Sequence, residues 1–205
     1  SSNETETDTE LETISEYADR MPSEGCRTGS EVQEPRIQVL VTTEDQLDAV
    51  MKATGITEVY LDITDWDDNR ILSGCEKIKN AGKQCYLALP RILRTEGLKI
   101  LQQAESILTD DNVDGYLIRN MDSYPMVKKF CEKHPGKKLI TDYNLYVMNR
   151  SARMFWEQGA QHTTAPIELN ERELRELDVR EMVLPVYGRV AFMVTAQCPN
   201  RLVGK

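Results

Sequence analysis

The chain has 205 residues and a mass of 23.4 kDa, which is enough for one domain with its own hydrophobic core. It is 40% hydrophobic and 29% charged, a composition that excludes a chain disordered throughout. Its net charge of −9 argues against a general phosphate-binding surface and therefore disfavours nucleic acid as a partner.

Residues 1–35 differ in composition from the rest of the chain. They contain ten acidic residues against Arg20 and Arg27, which leaves a net charge of −1 for residues 36–205. An acidic, Ser/Thr-rich run with one short apolar stretch has too little apolar surface to offset the entropy of ordering. We therefore predict an acidic linker or tail over 1–35 and a folded domain over 36–205.

Apolar runs and amphipathic stretches alternate from residue 36 onward. The apolar runs are rich in Ile, Val and Leu, as is typical of buried parallel strands. They predict six strands, at 36–41, 58–63, 84–89, 115–119, 138–142 and 162–167, and two further apolar runs at 182–186 and 189–195.

The stretches between these strands carry helical signals. Thr43 and Gln46 fit a capping box at the start of the first helix, and Asn170 and Glu173 fit another before the last. The helix after the second strand is expected to end near Gly82. Apolar residues three and four apart predict one buried face on each of the remaining helices, at 98–108, 126–132 and 151–158.

Strand–helix units with short connections imply parallel strands and right-handed crossovers. The strand spacing suits a (β/α) barrel, and no dinucleotide-binding fingerprint follows the first strand. A complete eight-unit barrel usually takes about 250 residues, more than this chain has. The prediction is an α/β fold: a TIM-barrel-like domain that is incomplete or open.

Several common catalytic and targeting motifs are absent from the sequence. It contains no GxxxxGK[ST] loop, no HExxH and no GxSxG, and its two histidines, His134 and His162, stand far apart. The five cysteines form no CxxC pair, which favours a reducing cytoplasm over a disulfide framework. No apolar run approaches the roughly 18 residues of a membrane span, so we expect no membrane association.

Polar side chains follow the predicted strands at their carboxyl ends, where barrels carry their sites. Converging there, they favour binding of a polar or anionic ligand, while capping of the next helix is the alternative role. Asp142 and Glu168 rank first among them, because each lies beside an apolar stretch where an unpaired carboxylate is costly. The full set is Asp62, Thr64, Pro90, Arg91, Arg119, Asn120, Asp142, Asn144 and Glu168.

Four sequence blocks occur in a defined order. They are Leu-Ala-Leu-Pro-Arg at 87–91, Asp-Tyr-Asn-Leu-Tyr-Val-Met-Asn at 142–149, Ala-Pro-Ile-Glu-Leu-Asn at 165–170 and Val-Tyr-Gly-Arg-Val-Ala-Phe-Met-Val-Thr-Ala-Gln-Cys-Pro at 186–199. In this order the chain resembles the U32 peptidase family, the collagenase-like proteases, over about residues 36–199. It looks most like the C-terminal barrel portion of the long members. The resemblance implies a TIM-barrel-like fold, a peptidase activity and, in some members, an iron–sulfur cluster used in RNA hydroxylation.

The resemblance also bears on that cluster. Gly188 and Cys198 match the Gly and the second Cys of the family signature, but Ala191 stands where the first Cys belongs. Because such a cluster usually needs four thiolates, we expect no cofactor in this chain. Cys198 would be one ligand of an iron–sulfur cluster that residues outside the chain complete in a full-length parent.

Three interpretations follow. The first is a portion of a U32-type peptidase that is inactive alone, binds protein or peptide, and uses Asp142 and Glu168 in catalysis. Its substrate-binding residues would be Arg91, Arg119, Asn120, Asn144 and Tyr187. The second is the substrate- or RNA-binding barrel of a U32-like RNA-hydroxylating protein, with Arg91 and Arg119 on phosphate. The third is a non-catalytic half that pairs with the remainder of its parent or with a second copy.

Overall fold

The computed structural model describes residues 36–93, 105–190 and 194. The chain divides into Ser1–Pro35 and Arg36–Lys205, and all described residues belong to the second unit. The predicted tail over 1–35 lies outside the described residues.

Six parallel strands form one sheet in which each strand pairs with the next along the chain. The sheet curls into a half-barrel, which confirms the predicted open, TIM-barrel-like α/β fold. The strands are β1 Ile37–Val41, β2 Ile56–Asp62, β3 Gln84–Ala88, β4 Gly115–Ile118, β5 Lys138–Thr141 and β6 His162–Thr163.

Helices connect these strands, as the periodicity predicted. They are α1 Glu44–Lys52, α2 Asp68–Asn80, α3 Glu105–Leu108, α4 Tyr124–Lys133, α5 Arg150–Glu157 and α6 Glu171–Leu177, with 3₁₀ turns at Tyr143–Leu145 and Val179–Glu181. Of the predicted helix at 98–108, only the end lies within the described residues. None of the described helices is long and apolar enough to cross a membrane.

The predicted helix ends are largely those that the structure shows. Asn170 and Glu173 form the full capping box before α6. At α1 the Thr43 hydroxyl accepts from the Gln46 N–H at 3.3 Å, but the Gln46 side chain accepts from the Thr42 N–H at 2.8 Å, one residue earlier than predicted. After α2 the chain leaves the helix through Gly82, whose positive φ of 70° suits a residue without a Cβ.

The predicted sixth strand is shorter than its apolar run. β6 has two residues, and beyond it Thr164 makes one isolated parallel bridge to Val183. The predicted run at 182–186 therefore contributes one bridge to the sheet and not a strand. Pro166 lacks a backbone N–H and lies within the predicted strand, which explains why pairing stops early.

The two faces of the sheet have different neighbours, because successive side chains of a strand point to opposite sides. Leu61, Leu87 and Ile118 belong to the main core with residues of the helices. The alternate positions form a second, smaller cluster on the inner face of the half-barrel: Tyr60, Tyr86, Ala88, Leu117 and Ile140. The Tyr60 and Tyr86 rings stack with centroids 5.0 Å apart. This inner cluster is the floor beneath the carboxyl ends of the strands.

Candidate functional site

All six strands run in the same direction, so their carboxyl ends open on one edge of the sheet, here called the rim. The sequence prediction placed charged and amide side chains on this rim. The structure brings five rim residues into two sets of contacts, Asp62 with Arg119 and Arg91 with Asp142 and Tyr143, which are together called the rim cluster.

Arg119 follows β4 and holds Asp62 at the end of β2. Two guanidinium nitrogens lie 2.8 and 2.9 Å from the two Asp62 carboxylate oxygens, which is the bidentate geometry that favours arginine over lysine. A third nitrogen donates to the Leu89 carbonyl at 2.5 Å. The Arg119 side chain is 3% exposed, so its donors are directed inward and joined to neighbouring strands.

Arg91 lies beyond β3 and contacts the loop that follows β5. Its guanidinium donates to the Tyr143 hydroxyl at 2.8 Å and lies over the Tyr143 ring, 4.9 Å from its centroid. The same guanidinium is 3.6 Å from the Asp142 carboxylate. With 21% of its side chain exposed, Arg91 is the more accessible of the two rim arginines.

Asp142 is the more buried of the two carboxyl groups in the rim cluster. One of its oxygens accepts from the Tyr143 N–H at 2.8 Å and so caps the Tyr143–Leu145 turn. Its side chain is 10% exposed. Burial raises the pKa of Asp142, and the Tyr143 N–H and the charges of Arg91 and Arg119 offset this only in part.

Asp62 has the opposite pKa shift although it is also largely buried. Burial by itself would raise its pKa. The hydrogen bonds and charge of Arg119, with further bonds from Thr64, outweigh burial and hold the pKa of Asp62 below its usual range. The rim thus carries two carboxyl groups that its environment pushes apart in acidity, an arrangement that is typical of acid–base sites.

The two predicted asparagines position loops. Asn120 donates to the Pro90 carbonyl at 2.8 Å and accepts from the Ser123 N–H at 2.8 Å, which is the capping role weighed as the alternative. Asn144 donates to the Arg119 carbonyl at 2.7 Å, and its side-chain oxygen is buried without a partner. Asn144 therefore joins the loop after β5 to the loop after β4.

Two of the predicted residues that the structure describes lie outside these contacts. Glu168 is exposed in the loop before α6, so it is not the costly buried carboxylate that its apolar neighbours indicated. Tyr187 is fully exposed. Cys198 and Ala191 fall outside the described residues.

Tyr143 is the rim-cluster residue that the predicted set of site residues did not include. Its position next to Asp142, at the end of a strand, was the available signal. The sequence gives no sign that Arg91, which is 52 residues away and follows another strand, contacts Tyr143. In the structure the Arg91 guanidinium lies over the Tyr143 ring.

The described residues of the rim do not have the features of a metal site. Within residues 36–93, 105–190 and 194, no three His, Cys, Asp or Glu side chains are grouped so that they could hold a metal ion. Two surface clefts lie elsewhere on the described part of the chain, one against α1 and α2 and one around 133–137, and neither includes a rim-cluster residue.

Comparison with known proteins supports the fold. The chain is similar to a solved structure titled "The Structure of the U32 Peptidase Mk0906", with a TM-score of 0.56 and 15% sequence identity over 78% of this chain and 72% of that one. A scan against protein-family models gives no match, and neither does a search of curated proteins. The chain therefore has a U32-like, open α/β-barrel fold.

Proposed function

We propose that this chain is the substrate-binding barrel portion of a U32-type peptidase and that it binds a protein or peptide across its rim. The observation that carries the proposal is Asp142. It is a buried carboxyl group with a raised pKa, next to an accessible arginine, at the end of the barrel where such folds place their chemistry.

The proposed chemistry is hydrolysis by an activated water molecule. Asp142 takes one proton from water, and the resulting hydroxide attacks the carbonyl carbon of the peptide bond. Arg91 donates to the developing oxyanion. When the C–N bond breaks, the protonated Asp142 returns the proton to the leaving nitrogen. A raised pKa suits this role because it makes Asp142 a stronger base than an ordinary carboxylate.

Arg119 and Asp62 have a positioning role in this proposal. Their bidentate pair is nearly closed to solvent and fixes the loops that carry Arg91 and Asp142. Hydrolysis is proposed to need further residues of a longer parent. Glu168 and Tyr187 stay predicted contributors, and both are exposed and free to contact a substrate or another part of that parent.

The RNA-binding alternative has less support from these contacts. It required Arg91 and Arg119 on phosphate. Arg119 is committed to Asp62 and to the Leu89 carbonyl, and a guanidinium so occupied cannot also form a bidentate pair with phosphate. Arg91 alone makes a weak phosphate site in a chain with a net charge of −9.

The proposal is tested by binding and by cleavage. Fluorescein-labelled gelatin fragments should bind the chain in fluorescence anisotropy, and Arg91→Gln should weaken binding by about tenfold, the loss of one charged contact. Arg172→Gln, on exposed α6, is the matched control and should bind as the unmodified chain does. Equal binding by the Arg91 variant would refute the rim as the binding site.

Cleavage separates the catalytic part of the proposal from the binding part. We expect no release of dye from labelled gelatin by the chain alone. Release that disappears in Asp142→Asn would support Asp142 as the base and contradict the need for further residues. Release that persists in Asp142→Asn would refute its catalytic role.

A further inference from the structure

The loop that follows β5 places one aromatic residue in a costly backbone conformation. Tyr146 has φ 53° and ψ 57°, in the left-handed region. Within the described residues, Asp178 is the one other non-glycine residue with positive φ. A residue with a Cβ adopts this region at a cost that glycine or asparagine largely avoids. Such strain persists where the surrounding structure over-determines it, and it concentrates at functional sites.

The structure around Tyr146 explains how the strain is held. Leu145 packs against the core and Val147 is fully buried, so the residues on both sides are anchored. The Tyr146 N–H donates to the Tyr143 carbonyl at 3.2 Å, and its carbonyl accepts from the Met148 N–H at 2.7 Å. With the backbone fixed at these points, the Tyr146 side chain is directed out of the protein.

The Tyr146 side chain has no structural partner in the described part of the chain. It is 56% exposed and makes no hydrogen bond or ring contact there. Exposed apolar residues follow four adjacent strands at the same rim: Ile92 after β3, Met121 after β4, Tyr146 and Met148 after β5, and Ile167 after β6. The bond from Asn144 to the Arg119 carbonyl holds together the two loops that carry Met121, Tyr146 and Met148.

We propose that Tyr146 is a specificity-determining residue of the rim, which receives a bulky apolar or aromatic side chain of the bound peptide. This inference rests on the proposed peptide-binding function. Tyr146 and Asp142 flank the same Tyr143–Leu145 turn, and the proposal is that a peptide held at Asp142 and Arg91 extends along this turn to the Tyr146 ring. An aromatic ring offers a large, rigid contact surface, and the flexible methionines Met121 and Met148 adapt to the shape of the incoming group.

The test uses two labelled nonapeptides of alternating glycine and alanine that differ at the central residue, phenylalanine or glycine. The unmodified chain should prefer the phenylalanine peptide. Tyr146→Gly should weaken binding of the phenylalanine peptide about fivefold, as expected for the loss of an aromatic contact. It should leave the affinity for the glycine peptide unchanged. Tyr146→Phe, which retains the ring, should bind as the unmodified chain does.

Two controls separate recognition from folding. Tyr146→Gly relieves the backbone strain, so its melting temperature should be equal to or higher than that of the unmodified chain. Asp178→Gly relieves the same strain at the end of α6 and should leave both affinities unchanged.

The failures are distinguishable. If the peptides bind and Tyr146→Gly retains the preference for phenylalanine, the role of Tyr146 is wrong and the proposed function stands. If the unmodified chain binds neither these peptides nor labelled gelatin, the proposed function itself is wrong.

Discussion

At the scale of single residues, the two rim arginines differ in what they can do. Arg119 is enclosed by Asp62 and two backbone carbonyls, whereas Arg91 rests on the Tyr143 ring with part of its surface open. Removing one partner of a buried ion pair strongly destabilises the fold, because the charge of the other partner stays desolvated and unpaired. An accessible arginine is the one that can exchange its partners for a ligand.

Replacement of Arg119 by methionine should therefore destabilise the fold strongly. The variant leaves the largely buried Asp62 carboxylate without its partner, and we expect a loss of about 3–5 kcal/mol in the free energy of unfolding. Urea denaturation followed by circular dichroism measures it. Adding Asp62→Asn should restore part of the loss, because the uncompensated charge is removed. A loss no larger than that of the exposed Arg172→Gln control, about 0.5 kcal/mol, would contradict the role of the pair.

The two rim aspartates should give stability opposite dependences on pH. The pKa of Asp142 is higher in the folded chain than in the unfolded chain, so its contribution is most favourable below about pH 4 and is lost as pH rises through the folded value. The pKa of Asp62 is lower in the folded chain. Its contribution is present above about pH 4 and is lost as pH falls through the folded value.

Substitution by asparagine makes this difference measurable. The stability of Asp142→Asn relative to the unmodified chain should be greater at pH 7 than at pH 4. The substitution removes a buried carboxyl group, which is costly to bury only when it is ionised. Asp62→Asn should be less stable at pH 7, and its deficit should shrink toward pH 3. Urea denaturation across this range checks both signs, and a shift in the same direction for both variants would contradict the assigned environments.

At the scale of elements, the amino-acid sequence predicted the order of strands and helices well. It predicted the side-chain contacts at the rim poorly. Strand β3 and helix α2 are visible in local apolar patterns, because burial imposes its period on neighbouring residues. The pairing of Arg91 with Tyr143 joins residues from different loops, and no local pattern records it. Glu168 shows the same limit, since its apolar neighbours indicated burial and the loop instead exposes it.

The pairing at the start of β4 requires a glycine, which has no Cβ, at position 115. A Cβ built on Gly115 would lie 2.2 Å from the Lys138 carbonyl oxygen of the neighbouring strand β5. Backbone cannot move aside as a flexible side chain can, so Gly115→Ala should cost about 2–3 kcal/mol of unfolding free energy. Gly74→Ala on α2 is the control, because its Cβ would meet the Leu61 side chain at 3.1 Å and should change stability by less than about 1 kcal/mol. Equal effects in urea denaturation would contradict the close approach of β4 and β5.

At the scale of the whole folded unit, the described residues leave the sheet with two unpaired lateral edges, one at β1 and one beyond Val183. In the described residues β1 pairs with β2 alone, and it exposes Ile37 and Leu40. Beyond the bridge at Val183, the chain exposes Leu184, and Val186 is 91% exposed. Parallel strands are usually covered and paired on both sides, and exposed apolar edges favour association with another chain.

The chain should therefore associate with itself when it is studied alone. In sedimentation velocity, its weight-average mass should rise above 23.4 kDa as the protein concentration increases. Leu40→Lys and Val186→Lys each place a charge on one of the two exposed apolar edges of the sheet, and each should shift the distribution of sedimenting species toward the monomer. Gln158→Lys makes the same change of charge at an exposed position at the end of α5, and it should associate like the unmodified chain. A mass that stays at the monomer value at every concentration would mean that the unpaired edges of the sheet do not drive self-association. The predicted pairing with a parent protein or a second copy would then have no physical basis.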